Sequence, residues 1–118
     1  MEERDIIKKN FEEYLEIAEY SMGKKKFNSA VTLYYKALVE LCDLELLDKT
    51  DKIGSNHTER FRLLESNSPE LYNISSKMFK FYRDSYNKQI SKTIAKLVKD
   101  EVEDAKRIVL DKEMDEKE

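Results

Sequence analysis

The residues best equipped for chemistry lie between positions 77 and 99. Lys77, Lys80, Arg83, Lys88, Lys92, Lys96 and Lys99 stand there against Asp84 alone, a local charge of +6. Residues 1–76 sum to −4 and residues 100–118 to −5, so the net −3 hides a strong asymmetry. Such a cationic block points to an anionic partner. Phe79, Phe81, Tyr82 and Tyr86 are interleaved with it. Cations beside exposed rings can hold a phosphate chain and stack bases. The candidate nucleotide- or RNA-binding residues in this block are therefore Arg83, Tyr86, Lys88 and Lys92. Any helix covering Lys88, Lys92, Lys96 and Lys99 would place them on one side. The plainer alternative is that the rings are core and the lysines a solvated face.

Other reactive side chains are sparse. His57 is the only histidine. Alone it makes no metal site, which needs several ligands at defined spacing. At the mouth of a helix it is expected to bond a backbone group. Cys42 is the only cysteine, which excludes an internal disulfide; its place on an apolar helix face predicts a buried packing thiol. There is no Gly-rich phosphate loop, no Cys-x-x-Cys, no helical His-x-x-x-His and no nucleophile elbow. The carboxylates fall on polar faces. No cofactor and no metal are expected, and a generic hydrolase is disfavoured.

The elements that must position these residues are helical throughout. Positions 27–47 form the centre. Val31, Tyr34, Tyr35, Leu38, Leu41 and Cys42 make one apolar row, and Ala30, Leu33, Ala37, Leu44 and Leu47 a second. Only a narrow polar strip remains, with Lys36, Glu40 and Asp43. A helix apolar on most of its circumference must be surrounded by others. Asn28 or Ser29 can cap its start, and it should end near Asp48. Before it, residues 2–22 carry a stripe of Ile7, Phe11, Tyr14, Leu15, Ala18 and Met22. Gly23 and the Lys24–Lys26 run end that helix, where cations favour the macrodipole. The short turn predicts antiparallel packing of the first two helices.

After a polar loop over 49–56, a short helix spans 57–65, capped by Asn56 or Thr58, with Phe61 and Leu64 inward. Ser68 and Pro69 open the next helix. Its stripe is Leu71, Ile74, Ser75, Met78, Phe79, Tyr82 and Tyr86. The pattern breaks over 87–91. Ser91 caps the last helix, whose apolar positions are Ile94, Leu97, Val98, Val102, Ala105, Ile108 and Val109. Residues 1–111 thus read as one domain and residues 112–118 as an acidic, disordered tail. No run is long and apolar enough for a membrane span and no signal peptide is present, which predicts a cytoplasmic protein without a membrane partner. The Ala30–Tyr34–Ala37 spacing has a tetratricopeptide flavour, but nothing repeats about 34 residues later, so no repeat array is expected.

One broader likeness covers roughly residues 5–110. An amphipathic helix and a short basic turn lead to Phe27, Ala30, Tyr34, Tyr35, Ala37 and Leu38. A polar loop with His57 leads to Arg60-Phe-Arg-Leu-Leu64, and then come Tyr82-Arg83-Asp84 and a last polar helix. This order resembles the HEPN superfamily of small helical proteins. The resemblance implies an up-and-down bundle that forms a homodimer. In many members it also implies metal-independent ribonuclease activity of toxin–antitoxin or defence type, and in some a nucleotidyltransferase partner. The family's ribonuclease motif is an Arg, a polar residue, and a His after four to six intervening residues. Arg83-Asp84 matches its first half, and the resemblance thereby adds Asp84 to the candidate nucleotide- or RNA-binding residues. The His would fall at 88, 89 or 90, where this chain has Lys88, Gln89 and Ile90. Gln and Ile cannot exchange protons near neutral pH as His does.

The expected protein is therefore an all-α, up-and-down bundle of four to five helices. Its expected function is non-catalytic binding of a nucleotide, RNA or partner protein through the Arg83 region. One alternative is a ribonuclease in which Tyr86 or Lys88 stands in for the missing His. Another is a structural, dimeric interaction subunit.

Overall fold

A computed structural model describes the backbone of residues 2–117 and the side chains of residues 2–111. Five helices follow in order: α1 (Glu3–Gly23), α2 (Phe27–Thr50), α3 (His57–Asn67), α4 (Pro69–Asp84) and α5 (Lys92–Lys117). No strand occurs among the described residues. The chain is an all-α helical bundle, as its 3.6-residue periodicity predicts. The acidic tail expected over 112–118 falls where the side chains lie outside the described residues.

α2 packs against each of the other four helices. Its sequence explains why: no residue between Ala30 and Leu47 is exposed. Tyr34, Tyr35, Leu38, Leu41, Leu44 and Leu46 are fully or almost fully buried, and Leu64, Leu71, Val98 and Val102 meet them from α3, α4 and α5. Cys42 is completely buried, and desolvation pushes its thiol up to about 12, so it packs rather than reacts.

Ion pairs and hydrogen bonds set the helix directions. Arg4 at the start of α1 bonds Asp48 near the end of α2 at 3.1 Å, so the two run antiparallel. The turn between them places Lys25 at φ 60°. Asp51 closes α2 in the left-handed conformation, donating its N–H to the Leu47 carbonyl. The chain then doubles back over 51–56, and α3 climbs α2 in the same sense: His57 lies near Tyr35, Arg60 bonds Asp43, and Lys49 bonds the Asn67 carbonyl. α4 returns, with Tyr35 donating to the Ser75 carbonyl and Thr32 meeting Ser85. The four long helices alternate in direction, and α3 is inserted beside α2.

The helix ends match expectation in part. Asn56 caps α3, its Oδ1 accepting from Glu59 N–H at 2.9 Å, while the Glu59 carboxylate accepts from Ser55 N–H at 3.1 Å. Ser91 caps α5 through the Ile94 N–H at 3.2 Å. Ser68 precedes Pro69 as predicted, without a side-chain capping bond. Neither Asn28 nor Ser29 caps α2, which is preceded by Lys26. Asn28 instead reaches the α4–α5 connection. Its Nδ2 donates to the Ser85 carbonyl at 3.0 Å and to the Lys88 carbonyl, and its Oδ1 accepts from Ile90 N–H at 3.0 Å. Those backbone groups lie outside any helix and need partners, which a capping role could not supply.

Two further placements differ from the periodic reading. Leu97 stays 40% exposed, on the outer edge of α5. Asp43 does not join a solvated strip. It is buried and held by Arg60, with Nε to Oδ1 at 2.9 Å and Nη2 to Oδ2 at 3.2 Å. The doubled-back loop completes the clasp: Arg60 Nη2 also donates to the Gly54 carbonyl, and Gly54 N–H donates to Asp43. A Cβ at Gly54 would lie 2.6 Å from the Arg60 Cβ, so only glycine fits there.

Candidate binding surface and adjoining cleft

The predicted lysine stripe forms only in part: Lys92, Lys96 and Lys99 share one side of α5, and Lys88 does not join them. Lys88 lies in the α4–α5 connection and pairs with Asp84 at 3.3 Å. Lys96 pairs with Asp100 at 3.0 Å and Lys99 with Glu19 on α1 at 3.3 Å. Lys92 lies apart from Arg83, beside Lys25, Lys99 and Glu19 around a hollow next to the α1–α2 turn. Of the five predicted site residues, Asp84 and Lys88 therefore neutralise one another, and Lys92 belongs to a different face. Tyr86 is 64% exposed, and its hydroxyl bonds that of Tyr82 at 2.7 Å.

Arg83 is exposed, its guanidinium carbon 5.2 Å from the centre of the Phe79 ring. It does not pair with Asp84. Lys77 and Lys80 join it along the outer side of α4, and Lys80 lies 4.9 Å from the Phe81 ring centre. These three cations and two rings line a shallow groove of about 410 Å³ with no carboxylate in its lining. None of the three cations has an ion-pair partner among the described residues. Unpaired cations flanking ring faces are an arrangement suited to phosphates and bases.

Behind Phe79 lies a second opening, a cleft of about 300 Å³ between α1, α2, α3 and α4. Tyr14, Tyr35 and Tyr82 form its aromatic wall, Tyr35 and Tyr82 stacking 4.7 Å apart. Lys36, Glu40 and His57 supply its polar groups. Glu40 is half-buried and makes no hydrogen bond or ion pair among the described residues; the nearby Arg60 is held by Asp43. Desolvation first, and the Asp43 charge second, raise its carboxyl from 4.5 to about 7, against an opposing pull from Arg60.

His57 does not make the expected backbone bond through Nδ1, which is buried without a partner among the described residues. Its ring is wedged among aromatics instead, 4.9 Å from Phe79 and 5.8 Å from Tyr82. Burial, then Arg60 and Lys36, hold its pKa below the ordinary 6.5, so it is neutral at pH 7. Tyr82 is pushed up to about 12 by desolvation and its bond to Tyr86. His57 and Arg83 thus rest against one ring, Phe79, although 26 positions separate them.

Among the described residues no cluster of three or more side chains could hold a metal ion, and no helix is long and apolar enough to cross a membrane. No protein-family model, curated protein or solved structure matches this chain.

Proposed function

We propose that the chain is a non-catalytic helical module that binds single-stranded RNA along the outer face of α4. The observation that carries this reading is the groove of Lys77, Lys80 and Arg83: three exposed cations without acidic partners, set against Phe79 and Phe81. The other cations of the basic segment are paired with acids or stand on a different face. The resemblance to HEPN proteins supports the same reading. Phosphate contacts provide affinity that falls with salt, and stacking on the rings adds sequence-tolerant binding.

The test is fluorescence anisotropy of a labelled, single-stranded mixed-sequence RNA across salt concentrations without metal, with the same samples run on a denaturing gel. Three phosphate contacts predict a log–log salt slope of about −2. Lys77→Ala, Lys80→Ala and Arg83→Ala should each flatten it by about 0.7. Absent binding, or a slope untouched by all three, overturns the reading.

A second reading, metal-independent RNA cleavage, is favoured by one observation. His57 supplies a neutral imidazole on the Phe79 ring that Arg83 also touches. Lys88 and Tyr86, the sequence-level substitutes for the missing His, are engaged by Asp84 and Tyr82. Cleavage on the gel that vanishes in both Arg83→Ala and His57→Ala would establish it; intact RNA after long incubation rejects it.

A further inference from the structure

Glu40 is the anomaly of the fold. It stands on the most enclosed helix, its carboxylate lies half-buried in a cleft, and among the described residues no hydrogen bond or ion pair holds it. A desolvated carboxylate without donors is costly to retain. A ligand that brings N–H groups would supply them. An anion is opposed there by Glu40 itself. A cation is opposed by Lys36 on the same rim and by the neighbouring Arg60. A neutral, flat heterocycle meets neither objection, and the partly exposed Tyr14 and Tyr82 rings offer it stacking surface. The volume, about 300 Å³, stands at the small end of ligand sites and suits one ring system rather than a whole nucleotide. Phe79 separates this cleft from the cationic groove on α4, so a chain whose phosphates follow Lys77, Lys80 and Arg83 passes its rim.

We propose that this cleft receives one purine base of the bound RNA and that Glu40 reads its edge, selecting guanine. An ionised carboxylate presents two acceptors, which match the N1–H and N2–H donors of guanine. Adenine presents one donor and one acceptor on that edge and leaves a carboxylate oxygen facing the lone pair of N1. A carboxamide presents one donor and one acceptor, which match adenine at N6–H and N1 and guanine at N1–H and O6, so it does not discriminate between them. The inference rests on the RNA-binding reading of α4 and deepens it from backbone affinity to base choice.

The experiment compares two labelled pentauridine strands carrying a single central guanine or adenine, bound at pH 8 by the full chain. Wild type should prefer the guanine strand by about tenfold. Glu40→Gln and Glu40→Ala should each erase the preference. Equal affinities in wild type, or a guanine preference that survives Glu40→Ala, overturns the proposal. Circular dichroism of each variant confirms that it is folded. Lys77→Ala/Lys80→Ala/Arg83→Ala should weaken both strands alike and leave their ratio unchanged. If neither strand binds, the α4 reading has failed, and free guanosine and adenosine, which carry no phosphate, decide the cleft by themselves. Shifts of the Tyr14 and Tyr82 ring resonances with guanosine but not adenosine sustain it; no shift with either rejects it.

Discussion

Removing one side of the Asp43–Arg60 clasp should cost the protein a large share of its stability. The two side chains are 9% and 10% exposed, and two parallel hydrogen bonds of 2.9 and 3.2 Å join them. Arg60→Leu leaves the Asp43 carboxylate buried with only the Gly54 N–H, and strips the Gly54 carbonyl of its donor. Breaking a buried pair from one side costs about 3–5 kcal/mol. Domains of this size are stable by only about 5–15 kcal/mol, so the variant stands near the edge of folding. Asp43→Leu should cost less, about 2–3 kcal/mol, because the long Arg60 side chain borders the cleft and can turn its charge towards water. The double variant should cost clearly less than the two single losses together, with a coupling of about 2 kcal/mol or more. Urea unfolding followed by circular dichroism at pH 7 gives all four values. High salt should not rescue either single variant, since a buried pair is poorly screened. Single losses below about 1 kcal/mol, or losses that simply add, would refute the reasoning: the clasp would then be an incidental contact rather than the anchor of the 51–56 loop.

Glu40 makes stability depend on pH. Its carboxyl is raised from 4.5 to about 7 in the folded chain. Its penalty is therefore absent below the unfolded value, grows as pH rises between the two, and is complete above about 7. The full span would correspond to about 3 kcal/mol; access of water to the half-exposed group reduces it to about 1–2 kcal/mol. Glu40→Gln should thus melt several degrees higher than wild type at pH 8 and no higher at pH 4, a comparison that differential scanning fluorimetry makes directly; an advantage that is equal at both pH values would contradict the assignment. Asn28→Ala strands the Ser85 and Lys88 carbonyls and the Ile90 N–H, and should cost about 2–3 kcal/mol. Hydrogen exchange should show the lost protection at Ile90, and unchanged exchange there would rule out the clamp.

Much of the fold was legible because each helix carries its own period and its own punctuation. The two apolar rows of α2 announced that it would be enclosed, and Ser91 and Asn56 announced starts that the backbone obeys. The side chains that tie distant elements together were not legible. Asn28 looks like a local cap, because a cap needs only its neighbours, whereas its real targets stand about sixty residues away. Asp43 looks like a solvated acid until the loop at Gly54 brings Arg60 over it. The lysine stripe could have been discounted in part from the sequence: Asp84 precedes Lys88 by four residues, and Asp100 follows Lys96 by four, the helical spacing for ion pairs. Glu19 meeting Lys99 could not, since it depends on α1 lying beside α5. The cleft was missed because its polar groups come from separate helices. Its one sequence signal was a carboxylate, Glu40, on a helix with almost no room for one.

The enclosure of α2 also sets where this protein can change. Substitutions along that helix meet a neighbour at nearly every position, so drift there is confined. Within the enclosed stretch from Ala30 to Leu47, Lys36 and Glu40, at the mouth of the cleft, are polar exceptions: they can be exchanged without repacking the core. A lineage that altered what the cleft accepts would be expected to vary at these two positions while Tyr34, Tyr35, Leu38 and Leu41 stayed constant. The helix that tolerates least would then carry the residues that diverge most between relatives with different ligands.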